Sequence, residues 1–135
     1  MEICINRFKP DTDLKQEIVK VAQEKNIQAG FILTCVGSLK QACLRFANQS
    51  DSVCFKNYFE VISLVGTVTA KQGVHLHIGI ADENGQVAGG HLMDGNIIYT
   101  TMEIVIANLP TLIFRREIDA NYGYRELVVE KVPFL

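Results

Sequence analysis

All three histidines of the chain, His75, His77 and His91, lie within a span of 17 residues. His75 and His77 are separated by one residue in the apolar segment VHLHIGIA, and His91 follows in AGGHL. Successive side chains of a β-strand point to opposite faces, so His75 and His77 share one face of this strand. The other face, at the even positions 74 to 80, is wholly apolar and must pack on the core. We therefore expect both imidazoles to point away from the core.

The turn between the two segments decides whether His91 joins the other histidines. A two-residue loop at residues 84–85 would place His91 opposite Ile78, on the core side. A three-residue loop at residues 83–85 would place it opposite His77, with Ile80 opposite Ala88 on the core side. The sequence Glu-Asn-Gly suits a type I turn closed by a left-handed glycine, which is common in three-residue hairpins. We predict this second register.

In that register, three imidazoles meet on one patch of sheet. Opposed Cα atoms are ~4.5–5.5 Å apart, and same-face neighbours along a strand are ~6.5–7 Å apart. Three neutral imidazoles that leave one coordination position open resemble a catalytic or ligand-binding zinc site. The alternative is that His75, His77 and His91 are unrelated residues on a polar sheet face or in a subunit contact.

Three glycines flank these histidines at positions 79, 89 and 90. Glycine weakens a strand, so its presence indicates a bulge, or a ligand or another backbone that passes close by. Gly79, Gly89 and Gly90 are therefore candidates for ligand or partner binding, and a simple strand end is the alternative.

Three more polar residues are candidates because they lie in apolar segments. Arg45 stands between Leu44 and Phe46, and Glu103 stands between Met102 and Ile104. A pairing of Arg45 with Glu103, or a contact of Glu103 with the histidines, would form a functional cleft with Glu103 as the acid or base. Otherwise each faces solvent or a neighbouring subunit. Ser38 lacks the second glycine of a nucleophile elbow, so it is a candidate for binding only.

The elements that position these residues belong to one domain, which we place at residues 1–135. With 48% hydrophobic and 21% charged residues, the chain is typical of a soluble globular domain. No apolar run approaches the roughly 18 residues that span a bilayer, and the first residues do not resemble a signal peptide. None of the four cysteines forms a CxxC pair, so we expect small buried thiols in a reducing, cytoplasmic compartment.

The remaining pattern predicts one amphipathic helix and nine strand-like segments, for a sheet of about seven strands. Residues 14–26 have apolar side chains at helical spacing, after turn and cap residues at 10–13. Strands are predicted at residues 1–8, 31–38, 42–48, 58–70, 74–82, 86–92, 97–107, 111–117 and 125–132, some of them short, with a polar loop at 49–57. The fold class is therefore α+β, a largely antiparallel sheet flanked by one long helix and short helical segments.

The segment HLHIGIADENGQVAGGHL, with FILTCVGSL before it and TMEIVI after it, resembles the PPC (plants-and-prokaryotes-conserved) domain family. The similarity covers about residues 3 to 130. The positions that match the family motifs are Gly37, Ser38, Leu39, Arg45, Gly66, His75, His77, Asp82, Gly85, Gly89, Gly90, His91, Leu92 and Glu103. The resemblance implies an antiparallel sheet of about seven strands, a homotrimer, and a role as a DNA-associated regulatory protein with a further protein partner.

Two function classes follow: a trimeric, partner-binding regulatory domain, or a metal-dependent enzyme or small-ligand binder that uses the three histidines. The plant members of the family carry an AT-hook, which this chain lacks. Its 13 basic and 15 acidic side chains give a net charge of -2, which does not favour DNA or an anionic membrane. We therefore expect direct DNA binding to be weak.

Overall fold

The computed structural model describes residues 1–133, which form one helix and nine strands. In chain order these are β1 (Glu2–Phe8), α1 (Leu14–Glu24), β2 (Gly30–Arg45), β3 (Val53–Phe55), β4 (Phe59–Thr69), β5 (Gly73–Ala81), β6 (Val87–Leu92), β7 (Ile97–Asn108), β8 (Leu112–Ile118) and β9 (Arg125–Lys131).

Strands β1 to β7 form one antiparallel sheet of seven strands, which confirms the α+β class. The order is β1-β7-β2-β4-β5-β6, and β3 pairs with β2. The far strand β6 also pairs with the end of β2, so β2, β4, β5 and β6 close into a small barrel. The last two strands, β8 and β9, pair only with each other as a separate hairpin.

Helix α1 begins where Asp13 accepts hydrogen bonds from the backbone N–H groups of Lys15 and Gln16. Its apolar face is buried against the sheet, as the helical spacing predicts, through Leu14, Ile18, Val21 and Ala22. With 11 residues it is shorter than the long helix that we expected, and the expected short helical segments are absent from residues 1–133. No helix in this range combines the length and apolar character needed to cross a bilayer.

Strand β2 differs from the prediction of two short strands around a turn. It is one strand of 16 residues, because each part of it has a partner: β4 and β7 along its first two thirds, then β3 and β6 at its end. Shifts of register against β7 let such a strand bend and close the barrel. Strand β3 lies inside the segment predicted as a loop at 49–57.

The prediction of four unlinked cysteines is wrong for two of them. Cys43 of β2 lies directly opposite Cys54 of β3, and the two form a disulfide. The spacing of 11 residues gave no sign of this pair, because only the return of the chain as β3 brings the two side chains together. Cys4 and Cys35 are free and half-buried.

The face of the sheet opposite the core carries many exposed apolar side chains. Ile3 and Ile5 of β1, Val36 of β2, and Ile62 and Val65 of β4 are each at least half exposed. We call these five residues the apolar outer face. Exposed apolar side chains that share one face are a common feature of association surfaces.

Candidate metal centre

The hairpin of β5 and β6 has the predicted three-residue turn. His77 lies opposite His91, and Ile80 lies opposite Ala88. The backbone N–H of Asp82 donates to the carbonyl oxygen of Gln86 at 2.9 Å, and Gly85 has a φ of +74°. The left-handed glycine closes the turn, and this register brings His91 to the same face as the other two histidines.

The three imidazoles converge. One ring nitrogen from each of His75, His77 and His91 lies within 4.8 Å of the others. The ring centroids are 5.1 Å apart for His75 and His91, 5.3 Å for His75 and His77, and 5.6 Å for His77 and His91. Nitrogens bound to one tetrahedral zinc ion at ~2.0–2.1 Å stand ~3.3–3.4 Å from each other, so the three imidazoles would have to move closer together to bind one ion.

The surroundings of His75 and His91 favour neutral imidazoles. Burial, followed by the charges of His75 and Arg45, lowers the pKa of His91 to about 4. Burial and the neighbouring Arg116 also lower the pKa of His75. Neutral imidazole is the form that binds a metal ion. Moreover, the Nδ1 atom of His91 is buried without a hydrogen-bond partner among the described residues, which suits a nitrogen with an ion as its partner.

Neighbouring strands place the histidines in a defined row. Val65 of β4, His77, His91 and Arg45 of β2 lie side by side across four strands of the barrel. Two residues further along β4, Thr67 lies opposite His75. Closure of the barrel is thus what sets Arg45 beside His91.

The β8–β9 hairpin lies over this row. The Arg116 guanidinium donates to Thr67 Oγ1 at 2.7 Å, and the Arg116 backbone N–H donates to the side chain of Gln72. Two cavities result, and both are lined by His75 and Glu126. One, of about 250 Å³, is also lined by His77 and Arg116. The other, of about 740 Å³, reaches Arg45 and Arg125.

The predicted pairing of Arg45 with Glu103 is not formed within one chain. Arg45 donates to the carbonyl oxygen of Gln49 at 3.2 Å. Glu103 lies on β7 opposite Arg7 and Val36, and β2 and β4 separate β7 from the histidines of β5. The carboxylate beside the cluster is instead that of Glu126, whose charge offsets part of the lowering of the His75 pKa that burial and Arg116 cause.

Ser38 and the glycines have local structural explanations. The Ser38 hydroxyl donates to the Tyr99 carbonyl oxygen at 3.2 Å, on the part of β2 that pairs with β7. A Cβ atom at Gly89 would lie 2.9 Å from the Ile78 oxygen, and one at Gly90 would lie 2.6 Å from the Arg45 oxygen. Both glycines therefore allow close approach of β6 to its neighbours. A Cβ atom at Gly79, opposite Gly89, would lie 2.7 Å from Ser63 Oγ, so this glycine makes room for side chains of β4.

Sequence reasoning missed the residues that the hairpin supplies: Arg116, Arg125 and Glu126. They lie 25 residues or more beyond His91, and no local spacing connects them with it. The adjacent pair Arg115 and Arg116 was a weak signal, since alternation sends one of the two side chains toward the sheet.

Among curated proteins, the chain matches two proteins named "Bifunctional protein GlmU" from strains of Synechococcus. Each is 45% identical over 126 residues, or 93% of this chain. The chain spans about a fifth of the length of these relatives.

Several solved structures share the fold. A hypothetical protein from Salmonella enterica is 36% identical, with a TM-score of 0.94 over 96% of this chain and 94% of that one. A protein from Bacteroides thetaiotaomicron, described as a "putative dna binding protein", is 22% identical, with a TM-score of 0.81 over 93% and 91%. A protein described as metal-containing, from Archaeoglobus fulgidus, is also 22% identical, with a TM-score of 0.76 over 95% and 94%.

The family model of the Plants and Prokaryotes Conserved (PCC) domain, also written PPC, matches residues 1–110. This match includes the barrel and all three histidines. The β8–β9 hairpin lies beyond it, although the Salmonella structure matches nearly the whole chain. The protein therefore belongs to the Plants and Prokaryotes Conserved domain family, as the motifs around HLH and GGHL indicated.

Proposed function

We propose that this protein binds a divalent metal ion, with zinc as the first candidate, and uses it to bind or convert a small molecule. One observation carries the proposal: His75, His77 and His91 bring three ring nitrogens within 4.8 Å of one another. The unpartnered, buried Nδ1 of His91 and the lowered pKa values support it. The description of the Archaeoglobus relative as metal-containing is consistent with it.

A bound zinc ion with three histidine ligands would supply an open coordination position with Lewis acidity. The chain itself supplies the surroundings. His75, His77 and His91 would hold the ion, and the β8–β9 hairpin lines one side of the site through Arg116, Glu126 and Leu127. Glu126 lines both cavities and is the carboxylate placed to accept or return a proton there. Glu103 could take part only from a neighbouring subunit.

Zinc titration of metal-free, tag-free protein tests the proposal. We expect one zinc ion per chain, measured by calorimetry and by elemental analysis after dialysis. Because the lowered pKa values of His75 and His91 keep these two imidazoles neutral at pH 7, neither has to lose a proton, and binding should be tight. A protein that retains no zinc and gives no heat of binding would refute the metal site.

A DNA-associated regulatory role is the second candidate, supported by the description of the Bacteroides relative. The charge of the chain does not favour direct contact with a duplex, since nonspecific affinity comes from clustered Lys and Arg that neutralise phosphates. The same zinc-loaded sample can be assayed against duplex DNA at increasing salt. Tight, salt-sensitive binding at ~0.15 M salt would favour this role, and zinc binding without it favours the first.

We also propose that the protein is a homotrimer, held by its apolar outer face. The side chains of Ile5, Val36 and Ile62 are exposed to solvent in the single chain. Helix α1 does not shield them, because it packs on the other face of the sheet, so a second copy is needed to bury them. Val65 belongs to the same face and lies opposite His77, so the metal centre would border a subunit contact.

Sedimentation should therefore report close to three times 15.1 kDa. Ile62→Glu should shift the protein toward monomer, because it places a charge in the contact. Ile118→Glu is the matched control, since this isoleucine is also more than half exposed but lies at the end of strand β8, in the hairpin. A concentration-independent monomer in the unsubstituted protein would refute the trimer.

A further inference from the structure

Three arginines surround the histidine cluster without a carboxylate partner. Among residues 1–133 the ion pairs are Lys15–Asp94, Lys40–Asp11 and Arg115–Glu130. None of these involves Arg45, Arg116 or Arg125, although all three line the cavities beside His75. Three guanidinium groups beside a cation site would repel the ion unless a negative charge accompanied it.

The hydrogen bonds of these arginines leave most of their donors free. Arg45 donates to the Gln49 oxygen at 3.2 Å, and Arg125 donates to the Arg116 oxygen at 3.5 Å. Arg116 donates to Thr67 Oγ1. Each guanidinium has five N–H donors in a planar fork that matches the oxygens of a phosphate or carboxylate. A single acidic residue, Glu126, lines the same cavities, and it cannot neutralise three positive charges.

We propose that the larger cavity binds a small molecule through a phosphate or similar dianionic group, held by Arg45 and Arg125 beside the metal-binding histidines. This inference rests on the proposed function in one respect, the metal ion next to the cavity. The anion site itself is formed by the arginines and does not need the metal. The volume of about 740 Å³ lies in the range of small-molecule sites. Asn48, Ser50 and Tyr124 add polar groups for the rest of the ligand. Arg116 contributes charge from the smaller cavity.

Inorganic phosphate titrated into the zinc-loaded full chain, in low-salt buffer without other oxyanions, tests the inference. We expect saturable binding, followed by calorimetry or by ³¹P resonance shifts. Arg45→Gln should weaken it about 10- to 100-fold, since a hydrogen bond between charged groups contributes roughly 1.5–3 kcal/mol. Arg125→Gln is a second variant, on a different element, in case the first impairs folding.

Arg115→Gln is the matched control. It removes one positive charge, as the two test variants do, from the hairpin that also carries Arg125. We expect phosphate affinity within about threefold of the unsubstituted protein, because Arg115 pairs with Glu130 and lines neither cavity. Equal losses in Arg115→Gln and Arg45→Gln would show a general charge effect and overturn the inference.

The remaining outcomes separate this inference from the proposed function. Zinc binding without phosphate binding would overturn the anion site and leave the metal site standing. Phosphate binding that needs Arg45 and Arg125 in a protein that binds no zinc would uphold the anion site and refute the metal proposal. Phosphate binding that is lost in His77→Ala but unaffected in both arginine variants would make phosphate a ligand of the metal alone, against this inference.

Discussion

Replacement of His77 by alanine is expected to weaken zinc binding by ~10²–10³-fold. Structural zinc sites bind with about 10–16 kcal/mol, so loss of one ligand in a small set removes roughly 3–4 kcal/mol. His77 is the exposed member of the cluster, and its strand is anchored by Leu76 and Ile78 in the core. The variant should therefore fold normally, and the change in zinc affinity can be read directly by calorimetry.

Glu126→Gln is the comparison for this variant. It removes the carboxylate beside the cluster while keeping the size of the side chain. We expect a loss of zinc affinity of about tenfold at most, the low end for groups outside the ligand set, because Glu126 makes no hydrogen bond to a histidine among the described residues. If Glu126→Gln loses as much affinity as His77→Ala, a carboxylate belongs to the ligand set. If His77→Ala binds zinc as tightly as the unsubstituted chain, the three-histidine site is refuted.

The second large effect is expected for Gly66→Ala, which should destabilise the fold by about 3–5 kcal/mol. Gly66 has a φ of +138°, and a Cβ atom there would lie 2.0 Å from the carbonyl oxygen of His75. That oxygen is backbone in the paired strand β5, so the two strands must separate to admit a methyl group. Thermal unfolding should shift down by roughly 10–20 °C, with zinc affinity reduced as His75 moves.

Gly73→Ala separates the cost of backbone conformation from that of the clash. Gly73 has a φ of +78°, but a Cβ atom there would meet nothing within 4 Å. The Gly73→Ala variant should therefore lose only about 1–2 kcal/mol of stability, the cost of the left-handed conformation for a residue with a Cβ atom. Equal stability loss in the two variants would mean that the β4–β5 contact at Gly66 is not close, and that His75 is not held as described.

Local patterns sufficed for the hairpin that carries the histidines. Alternation of apolar residues at 74 to 80 set the outward direction of His75 and His77, because period two along a strand is a property of the backbone alone. The turn residues 83–85 then determined which residue faces His77, since the conformation of a short loop sets the register. The spacing of Leu14, Ile18 and Val21 predicted the buried face of α1 in the same way.

The long strand β2 could not be predicted from local sequence patterns. The polar residues Lys40 and Gln41 resemble a turn, but both are strand residues because β4, β7, β3 and β6 all pair along this segment. The disulfide of Cys43 and Cys54 depends on one of these pairings. Hydrogen bonds from partners distant in sequence outweighed the local turn preference.

The charged surroundings of the metal centre were also decided by tertiary structure. Arg45 lies beside His91 only because β6 pairs with the end of β2 and closes the barrel. Arg116 and Glu126 lie beside His75 only because the β8–β9 hairpin packs back onto β4 and β5. The sequence by itself determined that the three histidines share one face of the hairpin, since strand alternation and the turn residues between the strands are local features. Their charged neighbours come from segments 25 or more residues away, which only the packing of the whole chain brings together.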